Sequence, residues 1–461
     1  MSDKHLLQTS RRGIVTASAA VALGALTTGP SEASTPSQSL LPDLSFLQDT
    51  PIADLERLRR FMAQAGLDAL VVSHPANVFY LTNHWPQLDR MGMEGAGIAI
   101  VSRDPQRPIT LVMHAFLYYF THSPESKFTD RIIFTYTNPT GAAATPDSEP
   151  PAAPARTMRI VDPEATTSLD AHRFDMYARA RPASADASWA LKKALIELKL
   201  DSAVIGIDET ALEGAIKLRG FSGQIRPGEN IIRRARLAKS PAELKLMRFA
   251  AQANVDAAMI AARRARTLGT SRRLRAEFYA EAAKRGNSGH FMVIGGTSSE
   301  VIDQPFVDGT SVSIDCVSTC RFYHGDFGRT IFIGEPHAAV KRAAEAVGTA
   351  WQEIRSQLRP GMRFADIPRI GRATLSRLGV DINVSFTPHS VGLFHTDHPQ
   401  PSLISPRQPE DLMLEENMVL SVDCPVFMAG LGGTIHLEDL MWIRDGRAEP
   451  IHTIPPPVII V

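Results

Sequence analysis

Three segments of this chain read as apolar strands that end on acids: Val312-Ser313-Ile314-Asp315, Val419-Leu420-Ser421-Val422-Asp423 and Thr434-Ile435-His436-Leu437-Glu438-Asp439. A carboxylate carried into the apolar interior of a sheet is costly unless it is paired. Several together repel one another unless they are protonated or neutralised by a cation. Any one of these strands, taken alone, reads as a strand end in solvent. All of them, with Asp326 and a group of histidines in the same half of the chain, read as a metal centre. That half must then fold so that strands far apart in sequence meet at one place.

The rest of the chain is α/β in pattern. Arg57 to Ala65 has helical spacing, with Leu58, Phe61 and Met62 on one side. Residues 69–72, 78–81, 97–101, 109–113 and 203–208 read as short buried strands, and Ala190 to Leu200 as a helix. Residues 138–157, rich in Pro, Ala and Thr, read as a surface excursion. Ser240-Pro241-Ala242-Glu243 carries a capping box and opens a helix expected to run to about Arg266. A domain boundary is expected just before it, near residue 236. At 461 residues the chain has length for two or three domains. Lys plus Arg (49) balances Asp plus Glu (49), so no basic field draws it to nucleic acid or acidic lipid. Three cysteines, at 316, 320 and 424, make no disulfide framework. Cys316 and Cys424 follow acids directly, and strand alternation turns them to the opposite face. Cys320 reads as a free thiol in a turn.

The N-terminus has the pattern of an export signal. Arg11-Arg12 precedes a small-residue apolar run to about Thr28, and Ser31-Glu32-Ala33 offers a cleavage site. The paired arginines resemble the twin-arginine type. The alternative, a membrane anchor, asks a short run rich in Ala, Gly and Thr to span hydrocarbon. Residues 1–33 are thus expected to be a signal and 34–51 a linker. The expected location is the periplasm or the exterior, without stable membrane insertion after cleavage.

Asp315 is followed eleven positions later by Asp326, in Tyr323-His324-Gly325-Asp326-Phe327-Gly328-Arg329-Thr330. Pro388-His389-Ser390-Val391-Gly392-Leu393, Met418 to Asp423 and Leu437-Glu438-Asp439 come next. This order and spacing is similar to the M24 metallopeptidase family, that of methionine aminopeptidase, aminopeptidase P, prolidase and creatinase. Gly66 to Val72, Asn77 to Thr82, and Arg234 to Arg248 resemble its two-domain branch. The resemblance implies a creatinase-like N-terminal domain over 52–235 and a pita-bread metallohydrolase domain over 236–461. It implies metal ligands at Asp315, Asp326, His389, Asp423 and Glu438. Asp423 stands where the family usually has Glu, one methylene longer. Such ligands suit one or two ions of Mn, Fe, Co or Zn, which would activate a water and clamp a carbonyl oxygen. A homodimer and a small peptide or other small-molecule substrate are implied too.

The chain also departs from the family. Three histidines that hold substrate and move protons are missing. Asp303 is the nearest candidate for the first, and Ser385 and Thr396 stand at the other two positions. The usual Arg two before the last Glu is His436. His324 and His436 each lie two residues from an expected ligand, so on extended backbone they share its face. They either line the site or pack as ordinary strand residues. Of His395 and His398, which flank Thr396, one is expected to line it. Any of these could act as acid or base, or as an extra ligand. Arg329 is expected to support the site. Trp85 either reaches toward it from the N-terminal domain or is a partly buried aromatic.

The expected function is the first of three, and the other two are its alternatives. The first is an exported metallohydrolase cleaving a short peptide, next to proline as in prolidase. The second is a non-peptidase on the same scaffold, such as a small C–N hydrolase or a dimethylsulfoniopropionate lyase. The third is a metal-free binding protein.

Overall fold

A computed structural model of the chain describes residues 40–86, 92, 97–121, 128, 130–145, 147–154, 160–401, 406 and 409–461. The expected export signal and the first part of the expected linker lie outside the described residues. The rest of that linker is no free tether. Ser45–Gln48 forms a 3-10 turn, and Leu44, Phe46 and Leu47 pack on the core. Among the described residues no helix is long and apolar enough to cross a membrane.

The first half builds a seven-stranded mixed sheet. Its strands are β1 (Ala69–Val72), β2 (Gly97–Ser102), β3 (Thr110–His114), β4 (Ile132–Tyr136), β5 (Arg181–Ser184), β6 (Val204–Ile207) and β7 (Gln224–Pro227). The order is β5-β4-β3-β2-β1-β6-β7. One expectation fails here. Val78-Phe79-Tyr80-Leu81 is the middle of a helix, Pro75–Thr82, not a strand. Ala76 to Thr82 are all buried, so the helix has no polar face and its apolar run mimics a buried strand. Its true marks are Pro75 in the first turn and Asn83 in the left-handed region (φ 56°) just past its end.

The helix Glu229–Arg236 leads to the second half. There the capping box is present: the Ser240 side chain accepts from the Glu243 amide and opens the helix Pro241–Arg263. Two sheets follow. The first holds β8 (Ser288–Ile294), β9 (Thr310–Cys320), β10 (Tyr323–Ile333) and β13 (Glu438–Asp439), in the order β13-β10-β9-β8, with β16 (Val458–Ile460) beside β10. The second holds β11 (Thr387–Ser390), β12 (Val419–Asp423), β14 (Met441–Arg444) and β15 (Arg447–Pro450). The helices Pro241–Arg263 and Ser271–Lys284 cover the first sheet, where Ala257 and Phe278 pack with Ile314 and Phe327. The helices Ala338–Gln357 and Asp366–Arg377 cover the second, where Val347 and Ile367 pack with Leu420 and Ile443.

The two halves share one core. Leu70, Phe79 and Tyr80 pack in the same cluster as Leu246, Ala250 and Val419. Trp85 is partly buried in it and lies 5.0 Å from the Phe322 ring, at the turn between β9 and β10. Cys320 is not in a turn: it ends β9 and is buried.

Candidate metal centre

Strand register gathers the acids. Asp315 of β9 pairs with Gly328 of β10, and Gly328 pairs with Glu438 of β13. These positions form one row on one face of the sheet. Asp326, two residues before Gly328, stands on the same face. The intervening Cys316 and Phe327 turn the other way into the core. On the second sheet His389 pairs with Ser421, and Asp423 lies two residues beyond it on the same face. The Ser421 hydroxyl donates to Glu438 Oε1 at 2.5 Å, which ties the two sheets together.

The donor atoms fall into two groups, Asp326 with His389 and His395, and Asp315 with Asp423, His436 and Glu438. Within each group the donor atoms lie within 4.8 Å of one another. The groups touch through His389, whose Nε2 is 3.6 Å from Asp326 Oδ2, 3.3 Å from Asp423 Oδ2 and 3.4 Å from Glu438 Oε1. His395 Nε2 is 3.2 Å from Asp326 Oδ2.

This arrangement fits divalent ions. Both oxygens of Asp326, Oδ1 of Asp315 and Nε2 of His389 are buried without a hydrogen-bond partner. Orphaned buried carboxylate oxygens are costly, and a cation satisfies them. Neighbouring ligands of one ion with bonds of about 2.1 Å stand roughly 3.0–3.4 Å apart, close to the spacings found here. His389 is oriented for ligation. Its Nδ1 is 3.3 Å from the His395 carbonyl oxygen, which can only accept. The proton therefore belongs on Nδ1, and Nε2 faces the carboxylates.

The electrostatics agree. Burial and then the Glu438 charge hold the Asp315 carboxyl well above its usual range. The same two causes push Asp326 up to about 6. Burial would raise Glu438 as well, but His389 and His436 beside it hold it well below. Burial works against a charge on His436, yet Glu438 at 3.1 Å raises it to about 9. Without metal, imidazoles take the place of cations.

His436 needs Gly328. A Cβ at that glycine would stand 2.2 Å from His436 Cδ2 and 2.9 Å from Glu438 Cβ. Gly328→Ala is therefore expected to move the imidazole and weaken metal binding about tenfold or more. Calorimetric titration of metal-free protein checks this, and an unchanged affinity would show that His436 plays no part.

The other candidates are placed differently. His395 joins the first group, whereas His398 lies outside both. Nδ1 of His398 accepts the Ser390 amide at 3.3 Å, and burial lowers it to about 4. His324 is buried, and its Nδ1 donates to the Gly392 carbonyl at 3.2 Å. Its ring lies 6.3 Å from that of His395, so it stands behind the first group rather than in it. Asp303 does not reach the centre. It is exposed and accepts the Arg272 amide at the start of the helix Ser271–Lys284. Arg329 donates to the Glu438 carbonyl at 2.8 Å and to Asp439 Oδ1 at 2.6 Å, which holds β13 in place.

One contributor escaped the sequence reading. His290 of β8 lies edge-on to His324 at 5.1 Å, and Phe291 lies 5.3 Å from the His395 ring. Consecutive strand residues normally face opposite ways. Here Gly289 pairs with Ser318 and Phe291 with Val317, which leaves His290 as the extra residue of a bulge. A bulge re-aims side chains, so both rings reach the same wall. The adjacent glycine is the local signal: a Cβ on Gly289 would meet Tyr279 at 2.3 Å.

Residues 245–445 match the model of metallopeptidase family M24, and residues 55–118 match that of the creatinase/prolidase N-terminal domain. The chain is 27% identical over 148 residues to an Xaa-Pro dipeptidase of Pyrococcus furiosus, covering 32% of this chain and 41% of that protein. It is 26% identical over 161 residues to a probable dipeptidase PepE of Mycobacterium tuberculosis, covering 34% and 41%. The chain thus spans about two fifths of the length of these curated relatives. A dipeptidase structure from Pyrococcus horikoshii OT3 superposes with a TM-score of 0.62 at 18% identity, covering 88% of this chain and 99% of the other. An Xaa-Pro dipeptidase structure from Bacillus anthracis gives 0.61 at 19%, with 88% and 99% covered. At such identities the likeness is one of fold, and the fold is the two-domain one expected.

Proposed function

We propose that this chain, which belongs to metallopeptidase family M24 in its two-domain branch, is a metal-dependent hydrolase of short peptides. The observation that carries this reading is the meeting of seven donor side chains around buried carboxylate oxygens that have no other partner. Divalent ions held by Asp315, Asp326, His389, Asp423 and Glu438, with His395 and His436 adjoining, would supply an activated water and polarise the scissile carbonyl. The residues around them have separate tasks. Ser421 and Arg329 fix Glu438 by its side chain and its backbone. His395 is about a third exposed and touches Asp326, so it is placed to pass a proton between the centre and a bound substrate. Asp423, one methylene shorter than glutamate, stays within 3.3 Å of His389. Relatives named Xaa-Pro dipeptidase suggest a bond next to proline. Export through the twin-arginine-type signal to the periplasm, and a homodimer, belong to the same proposal.

A second reading has one observation in its favour. At the three positions where a proton-carrying histidine is missing, nothing equivalent reaches the centre: Asp303 caps a helix, Ser385 is exposed, and Thr396 offers no titratable group. This suits a non-peptidase such as a small C–N hydrolase or a sulfonium-acid lyase. Metal-loaded protein is expected to cleave Xaa-Pro dipeptides or tripeptides. Turnover of creatine-like amides, betaines or sulfonium acids without peptide cleavage would replace the first reading with the second. No turnover of either class by protein that binds metal would sink both.

A further inference from the structure

We propose that the N-terminal domain is a working part of the metal centre, because Arg233 positions His395 against Asp326. The inference rests on the metal-centre reading above. His395 sits in the segment 391–400, which leaves the end of β11 after the ligand position His389. Part of the segment is anchored within the second half: the Val391 amide donates to the Val419 carbonyl, the Asp397 amide to the Ser390 carbonyl and the Leu393 amide to Asp397 Oδ2, the Gly392 carbonyl accepts from His324, the His395 carbonyl from His389 Nδ1, and Asp397 Oδ2 from Lys239. The helix Glu229–Arg236, with His74 and Asn77 of the N-terminal half behind it, adds a second set of contacts.

Arg233 touches both neighbours of His395. Its Nη1 donates to the Thr396 carbonyl at 2.8 Å, and its guanidinium lies 4.6 Å from the Phe394 ring. His74 closes on the same ring edge-on at 5.2 Å, and Arg236 lies 5.1 Å from it. Further along, Asn230 and Gln400 exchange two hydrogen bonds, side-chain amide to carbonyl and backbone amide to side-chain oxygen. Arg233 is itself aimed by Glu229 at 2.6 Å, and Glu229 accepts from Asn77 at 2.7 Å. One helix of the first half therefore grips the segment at three points, and Arg233 brackets the imidazole between two of its contacts. Among the described residues the side chain of His395 meets Asp326, its own neighbour Thr396 and the rings of His324, His389 and Phe291. Its backbone is held at its own carbonyl by His389 Nδ1 and at both neighbouring residues by Arg233, so Arg233 is the restraint that the N-terminal side adds to its position.

The test measures Zn²⁺ binding to metal-free full-length protein by calorimetry, with no substrate. Arg233→Ala is expected to weaken the tighter binding event roughly tenfold to a hundredfold, the range for residues that orient a ligand. Arg233→Lys, which can still reach one carbonyl, is expected to recover part of the loss. The decisive comparison is a double-mutant cycle with His395→Ala. If Arg233 acts through His395, the double variant binds no more weakly than His395→Ala alone. An Arg233→Ala affinity equal to that of the wild type, or losses that simply add, would overturn the proposal. Should Arg233→Ala fail to fold, Asn230→Ala releases the Gln400 contact and is held to the same criterion. Absence of Zn²⁺ binding by the wild type would instead overturn the metal-centre reading.

Discussion

Asp326→Asn is expected to cut metal-dependent turnover at least about a hundredfold and yet to stabilise the metal-free protein above neutral pH. The two effects have one cause. Asp326 is fully buried and neither of its oxygens has a hydrogen-bond partner. It stands in the first donor group and beside the second, so its loss would remove a charged ligand from the middle of the centre. Without metal, the same charge is a burden. Burial and the Glu438 charge push the Asp326 carboxyl from 3.8 up to about 6. A carboxyl raised on folding contributes its full stability below its unfolded value and loses it as pH rises through the folded one. At about 1.4 kcal/mol per unit, the loss at pH 8 is on the order of 3 kcal/mol. Asp315 is shifted in the same direction by burial and Glu438. His436, raised to about 9 despite its burial, also gives up stability as pH rises above its usual 6.5. Glu438, shifted downward, acts only in acid. Metal-free wild type should therefore melt at a lower temperature near pH 8.5 than near pH 7, above the range in which His324 and His398, kept neutral by burial, would oppose the slope. Added metal should remove most of that slope, and Asp326→Asn should reduce it only in part without metal, because Asp315 and His436 keep their contributions. An Asp326→Asn protein that melts below the wild type in chelator near pH 8.5 would contradict this account.

The parts of the site that were legible in the sequence came from two sources, strand periodicity and the resemblance to the M24 family. Apolar strands ending on Asp315, Asp423 and Glu438 pointed to a metal centre, while the choice of the ligand set rested on the resemblance to the M24 family, because the common face of Asp315, Asp326 and Glu438 depends on register between three strands. Cys316 and Cys424 turn away by strand alternation. The placement of His436 two residues before Glu438 also followed this rule, although the space for it comes from Gly328 on a neighbouring strand. What failed to show was irregular or long-range. The bulge at His290 breaks the alternation that would have excluded His290 and Phe291 from sharing a wall. Asp303 was a candidate by position alone, and its helix-capping bond to Arg272 depends on a helix 31 residues upstream. The helix Pro75–Thr82 was hidden because burial on every side erased its period. The grip on His395 was invisible for a different reason. Arg233 and Thr396 are 163 residues apart, and nothing in either local pattern announces the partner.

The same junction holds a buried ionic cluster with a large expected effect on stability. Asp397→Ala is expected to cost about 3–5 kcal/mol, the range for breaking a buried ion pair from one side. Arg236, Lys239 and Asp397 all have side chains at 0% exposure. Asp397 Oδ1 accepts from Arg236 Nε at 3.1 Å and Nη2 at 2.8 Å, and Oδ2 accepts from Lys239 at 3.1 Å. Burial would raise the Asp397 carboxyl, but Arg236 and then Lys239 hold it below its usual value. Its contribution is thus present at neutral pH and fades only in acid. Alanine would leave two buried cations with Asn77 Oδ1 and the Arg236 carbonyl as hydrogen-bond acceptors, and with Glu229 3.9 Å from Arg236 as the nearest remaining carboxylate of that guanidinium. Gly392 shows how tightly the triad is enclosed, since a Cβ there would stand 2.4 Å from Asp397 Oδ2 and 2.5 Å from Lys239 Nζ. The partly exposed pair Arg57–Glu415 also bridges the two halves, but solvent reaches its carboxylate and screens it, and Glu415→Ala should cost under about 1 kcal/mol. Urea unfolding of the metal-free variants measures both. Replacing the triad together, Arg236→Met with Lys239→Met and Asp397→Leu, should recover much of the loss, because the desolvation cost leaves with the charges. An Asp397→Ala protein within about 1 kcal/mol of the wild type would mean that water reaches these cations after all, and that the two halves are not joined through a dry ionic core.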